Sequence, residues 1–90
     1  MSRRDRLEII YDILTIIKRN NNSIKPTPLL RYSNISTQRF NEYYKELLEK
    51  NFIREDYDKK GRKYITLTDK GFKFREKYIQ IQGLVEEFDL

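Results

Sequence analysis

Apolar positions along this chain follow two different periods, and the change between them divides it. Leu7, Ile10, Leu14 and Ile17 recur at helical spacing, and Ile9, Ile13 and Ile16 widen their stripe to nearly half a helix circumference. Such breadth predicts a first helix, running to about Arg19, that is buried against more than one neighbour. Ser2 reads as its N-cap and Asp5 as its third residue, where a negative charge suits the helix dipole. The run Asn20-Asn21-Asn22-Ser23 ends it, because short polar side chains compete with helical hydrogen bonds and tolerate turn conformations.

The stretch from Lys25 to Asn51 predicts two helices joined by a tight turn: Thr27 to Tyr32, the turn Ser33-Asn34-Ile35, and Ser36 to Lys50. Pro28 suits the first turn of the shorter helix, where a missing N–H would have had no partner. Leu29 or Leu30 is expected to turn inward, with Ile35 filling the space between the two helices. Ser36 is placed to cap the longer helix, although Arg39 stands where a full capping box would have Glu or Gln. On that helix Phe40, Tyr43, Tyr44, Leu47 and Asn51 share one side, with Leu48 at its flank. Gln38, Asn41, Glu42, Lys45 and Glu49 occupy the other. The arrangement is a helix-turn-helix with one face left free.

After Asn51 the period falls to two. Residues 52–57 and 63–67 read as strands around Asp58-Lys59-Lys60-Gly61-Arg62, where Gly61 supplies the positive φ that such a loop needs. The hairpin therefore carries Lys59, Lys60, Arg62 and Lys63 at its tip. A basic hairpin directly after a helix-turn-helix is the wing of a winged helix. Thr68 then caps a last helix, with Asp69 at its positively polarised end. Phe74, Tyr78, Ile81, Val85 and Phe88 recur along it at alternating spacings of four and three, a short heptad seam interrupted by Gly83. That seam either pairs with a second copy or folds back on the first helix.

Composition narrows the chemistry. Ninety residues allow one domain, which buries only about 60–65% of its unfolded surface, so burial by a partner subunit would help it. The absence of Cys and His removes disulfides, the usual zinc ligands, thiol nucleophiles and imidazole acid-base chemistry. No catalytic pair stands out among 14 scattered acids, so an enzyme is not expected, nor is a cofactor. The net charge of +5 is uneven: residues 84–90 hold three acids and no base, leaving 19 bases against 11 acids, or +8, on residues 1–83. A small domain with that surplus attracts a polyanion, for which double-stranded DNA is the expected partner. No apolar run approaches a membrane span and the N-terminus lacks the apolar core of a signal peptide, so a cytoplasmic location without membrane contact is expected.

Three segments together resemble a known family: LEIIYDIL, then KPTPLLRYSNISTQRFNEYYKELLEKNFI, then the basic hairpin followed by ITLTDKGFKF. They are similar to the small archaeal winged-helix DNA-binding proteins that dimerise through a C-terminal helix. The resemblance spans residues 7 to about 82, and viral proteins of archaea share the architecture. Its most specific block is Leu67-Thr68-Asp69-Lys70-Gly71, like the Leu-Thr-x-x-Gly that follows the wing in many MarR-like and PadR-like regulators. The family implies a transcription regulator or an abundant chromatin-associated protein. Pro26 and Pro28, and the short tail, depart from its pattern.

The expected fold is thus α+β and mainly α: a winged helix-turn-helix over residues 1–68, with residues 69–90 as a C-terminal dimerisation helix of the same compact unit. The expected function is sequence-specific binding of double-stranded DNA by a homodimeric regulator. Thr37, Gln38, Arg39, Asn41 and Lys45 would meet base edges, since Gln or Asn can pair with adenine and Arg with guanine. Lys59, Lys60, Arg62 and Lys63 would meet the backbone, and Phe74, Tyr78, Ile81, Val85 and Phe88 would form the dimer interface. Two alternatives are a protein that coats DNA without reading it, and a winged helix for protein contact, which Glu42, Glu46 and Glu49 favour. No small-molecule effector motif is evident.

Overall fold

The computed structural model describes residues 4–90. In chain order its elements are α1 (Arg6–Arg19), α2 (Pro26–Ser33), α3 (Thr37–Glu49), β1 (Ile53–Tyr57), β2 (Lys63–Leu67) and α4 (Asp69–Glu87). This is the expected winged helix: three helices, a hairpin and a C-terminal helix.

α1 is the centre of the core. Ile9, Ile10, Ile13, Leu14 and Ile17 are each no more than 3% exposed, whereas Leu7, expected on the same stripe, is 47% exposed. Asp5 is the N-cap rather than a residue of the first turn, because its carboxylate accepts the Glu8 N–H at 2.8 Å. The cap expected at Ser2 lies outside the described residues. At the other end the Asn20 side chain donates to the Ile16 carbonyl at 2.7 Å, and Asn21 and Asn22 turn the chain with φ of 61° and 55°. Ile24 then lies against the hairpin, exchanging backbone hydrogen bonds of 3.1 and 2.7 Å with Ile65.

α2 begins at Pro26, one residue earlier than expected, so both prolines occupy the first turn, where neither removes a helical hydrogen bond. Leu29 is its fully buried anchor, while Leu30 is half-buried. Burying one leucine in this way stabilises the domain by roughly 1.5–3 kcal/mol relative to exposure. The helix ends at Asn34, whose left-handed backbone (φ 56°, ψ 42°) turns the chain towards α3. Arg4 closes that end: its guanidinium donates to the carbonyls of Ser33 (3.0 Å) and Asn34 (3.1 Å) and to the Asp12 carboxylate (2.8 Å). A cation is thereby held where α2 leaves its last carbonyls unpaired.

α3 is held inward by Phe40 and Leu47, both buried. Asn51 (φ 62°) redirects the chain into β1, which starts at Ile53 instead of Phe52. The strands pair antiparallel from Ile53 opposite Leu67 to Tyr57 opposite Lys63. Ile53, Ile65 and Leu67 carry the sheet's apolar face into the core. Thr68 caps α4 by accepting the Gly71 N–H at 3.1 Å and also donates to the Asn51 carbonyl at 2.5 Å.

α4 divides in two. In its first half Phe74 lies 5.3 Å from Phe52 and 6.3 Å from Tyr78, ring centre to ring centre, and Tyr78 stacks on Tyr11 of α1 at 4.8 Å. Arg75 donates to the Thr15 hydroxyl at 2.9 Å and lies over the Tyr11 ring. From Ile79 onward every residue is exposed. The chain's radius of gyration, 13.9 Å, exceeds the roughly 12 Å usual for this length, as a protruding helix end requires.

Candidate nucleic-acid interface

The polar face of α3 is open. Thr37, Gln38, Arg39, Asn41 and Lys45 are all exposed. At about 100° per residue, Thr37, Asn41, Lys45 and Gln38 fall within one quadrant or little more, and Arg39 lies about 100° beyond Gln38. Arg39 instead lines a small cleft of about 210 Å³ with Arg6, Glu42, Tyr43 and Glu46, on the side of α3 next to α1. Four of the five predicted readers are therefore brought together and the fifth stands at their edge.

The acids of α3 are not equivalent. Glu46 accepts from Arg6 of α1, and from Lys50 at 2.6 Å. Glu42 and Glu49 are exposed and have no ion pair among the described residues. The open face thus carries amides at Gln38 and Asn41 and a cation at Lys45, with the acids Glu42 and Glu49 beside them.

The hairpin tip is built on Asp58. One carboxylate oxygen accepts the backbone N–H groups of Lys60 and Arg62, each at 2.9 Å, and the other accepts Arg62 Nε at 2.6 Å. Gly61 completes the turn at φ 78°. The Arg62 N–H, with the guanidinium and the Lys60 N–H, holds the Asp58 carboxyl below the usual carboxylate range. Lys59 and Lys60 are exposed and have no ion pair among the described residues. Lys63 is half-buried and lies 3.2 Å from Glu55.

Glu55 connects the hairpin to α3. It lies on the sheet face that begins with Ile53, and there it accepts the Tyr44 hydroxyl as well as the Lys63 ammonium. Tyr44 is itself fixed by stacking on Phe40, with ring centres 5.8 Å apart. Burial, reinforced by the bond to Glu55, raises the Tyr44 hydroxyl above its ordinary range, and that bond chiefly lowers the Glu55 carboxyl. A carboxyl lowered in the folded state contributes stability above its unfolded pKa and loses it as pH falls through the folded value. Thermal melts between pH 7 and 3 should therefore show Glu55→Gln losing less stability on acidification than the parent. Parallel curves would remove Glu55 from the acid response.

Sequence reasoning misses Tyr44, Glu55 and Asp58. Helical spacing reads Tyr44 as packing alone, and no periodicity marks which acid a given base will meet. Of the predicted assembly residues, Phe74 and Tyr78 are half-buried within the chain, while Ile81, Val85 and Phe88 are 58%, 38% and 60% exposed. Ile81 and Val85 line a groove of about 410 Å³ between the beginning of α1 and the second half of α4, together with Leu7. Among the described residues no cluster of acids converges to hold a metal ion, and no helix is long and apolar enough to cross a membrane.

The family model described as winged helix-turn-helix matches residues 3–86. Among solved structures the chain is similar to Sso10a-2, a DNA-binding protein from Sulfolobus solfataricus, with a TM-score of 0.70 and 21% identity over 96% of this chain and 90% of that one. It is similar also to F93 from STIV, a winged-helix DNA-binding protein, with a TM-score of 0.69 and 23% identity over 79% of this chain and 83% of that one. At such identities the likeness is one of fold. No curated protein matches the sequence.

Proposed function

Because the chain belongs to the winged helix-turn-helix family, we propose that it binds double-stranded DNA in a sequence-specific manner, as a homodimeric transcription regulator. The observation that carries this reading is the open amide-rich face of α3 beside a hairpin that projects Lys59 and Lys60. An α-helix with its side chains is about as wide as the DNA major groove, roughly 12 Å. Thr37, Gln38, Asn41 and Lys45 would face the base edges, Arg39 the edge of the groove, and the hairpin lysines the flanking phosphates. The two solved structures named above are of DNA-binding proteins. The exposed Ile81, Leu84, Val85 and Phe88 support pairing of two α4 helices, which would set two copies of α3 a fixed distance apart. A preferred site would then hold two half-sites about one helical turn, or a multiple of it, apart.

Two other uses compete. A protein-contact role draws on the acids of α3, but Glu46 is already engaged by Arg6 and Lys50, which leaves Glu42 and Glu49. Coating of DNA without reading draws on the same positive charge as the regulator does. Titration against random duplex at several salt concentrations, followed by selection of a preferred site, separates them. A regulator should favour its selected site by ~10³-fold or more. Gln38→Ala or Asn41→Ala should then cost ~1–3 kcal/mol on the selected site and much less on random duplex. Equal losses on both would discard base reading in favour of coating.

A further inference from the structure

Resting on the reading that this chain binds DNA, we propose that Glu55 and Asp58 divide the four hairpin cations into two classes. Lys59 and Lys60 meet phosphate, whereas Arg62 and Lys63 are internal braces, and the Tyr44–Glu55 bond makes both residues positioning residues that set the hairpin against α3.

The division follows from what each cation touches. Arg62 gives its Nε–H to Asp58 at 2.6 Å, and the same carboxylate holds the backbone N–H groups of Lys60 and Arg62. Moving Arg62 onto a phosphate would leave that acid facing the DNA without its partner. Lys63 is in the same position with respect to Glu55, at 3.2 Å, where β2 leaves the loop opposite Tyr57. A cation already neutralised within the fold displaces few counterions when DNA arrives, so it adds little to the salt dependence of binding. Lys59 and Lys60 have no such partner among the described residues, and the Asp58 turn holds the backbone between them and Arg62 in one conformation.

The positioning role follows from where Glu55 lies. It is at the middle of β1, directly opposite Ile65, which is fully buried and fixes the sheet in the core. Tyr44 reaches it from the middle of α3 and is anchored through Phe40. Hairpin and recognition helix are therefore joined by a hydrogen bond at mid-element as well as by the short connection 50–52. A DNA-binding surface formed by two elements needs their spacing fixed before the duplex arrives, since any freedom left in it is lost on binding.

The experiment is the slope of log affinity against log salt for a random duplex, measured for the parent and five variants. Lys59→Ala with Lys60→Ala should flatten the slope by about 1.8, at about 0.9 for each phosphate that is no longer neutralised. Arg62→Ala and Lys63→Ala should leave the slope within about 0.3 of the parent, whatever modest affinity is lost through a looser turn. Glu55→Gln, which leaves Lys63 charged and unpaired, should steepen it by up to about 0.9. Tyr44→Phe should weaken binding about threefold to tenfold, the worth of one hydrogen bond, with the slope unchanged. Arg62→Ala or Lys63→Ala flattening the slope as much as removal of one tip lysine would overturn the division. An affinity for Tyr44→Phe equal to the parent's would overturn the positioning role. Should the parent itself bind duplex with no salt dependence, the DNA-binding reading fails first and this inference with it. Arg62 and Lys63 lie outside the core, so their variants keep the test decisive even if Glu55→Gln does not fold.

Discussion

Gly71→Ala is expected to destabilise the domain by about 3 kcal/mol, because a side chain there has nowhere to go. A Cβ at this position would lie 2.2 Å from the Phe52 carbonyl oxygen and 2.9 Å from Leu67 Cδ2. Neither neighbour can yield cheaply. The Phe52 carbonyl accepts the Thr68 N–H at 3.1 Å, and Leu67 is 2% exposed in the core. Relief would require α4 to lift away from the hairpin, and with it the Thr68 cap and the packing of Phe74 on Phe52. For a domain of this size the loss corresponds to a fall of roughly 12–24 °C in melting temperature, readable by circular dichroism. Gly83 is the natural control, since a Cβ there meets nothing within 4 Å. Gly83→Ala should hold or raise the melting temperature, by the ~1 kcal/mol that alanine gains over glycine inside a helix. A shift of only a few degrees for Gly71→Ala would mean that the Leu-Thr-x-x-Gly block has no steric basis here.

The second large effect is expected from Ile81→Glu combined with Val85→Glu. These residues are exposed, line the groove beside Leu7, and belong to the half of α4 that lies outside the core. The substitution should leave the fold intact, since nothing buried is touched, and convert the proposed dimer to monomers. Two linked half-sites gain about 10²–10⁴-fold over one, so affinity for a selected two-part site should fall by at least about 100-fold. Sedimentation of both proteins at micromolar concentration, beside the DNA titration, checks the two halves of the claim separately. Tyr78 is the wrong place for this test, because its ring already stacks on Tyr11 and its removal would disturb the monomer. A parent that sediments as a monomer would rule out the assembly and the paired half-sites.

What the sequence discloses of this fold depends on whether a feature repeats. The five isoleucines and leucines buried on α1 recur along one face, and the change of period after Asn51 marks the hairpin, so both are readable. The Ser36 and Thr68 caps are also readable, because a hydroxyl directly ahead of a helical pattern has few other uses. Single events are not. The Ile24–Ile65 bridge involves one residue on each side and leaves no pattern. The cap of α1 is Asp5, three positions after Ser2, because both side chains suit the role and composition cannot rank them. On α4 the heptad spacing of Phe74 and Tyr78 with Ile81 is real, yet it does not reveal that two of these rings stack within the chain while Ile81 is left outside. In the candidate site, the residues of the open α3 face follow from helical spacing, whereas the engagement of Arg62 and Lys63 depends on acids that a tally of charges cannot assign.

The four asparagines with left-handed backbone, Asn21, Asn22, Asn34 and Asn51, bear on the state from which the domain folds. Each sits where the chain leaves a helix, a position commonly given to glycine. Glycine would adopt these conformations without strain, but it would also enlarge the set of conformations open to the unfolded chain at every helix end. Asparagine tolerates the left-handed region and keeps its Cβ, so fewer states are lost when the turns form. Three helix ends thus have a built-in bias towards their native turns before any core residue has met its partner. In a chain of 90 residues with little surface to bury, that bias acts on the entropy of the starting ensemble, where no inventory of native interactions would register it.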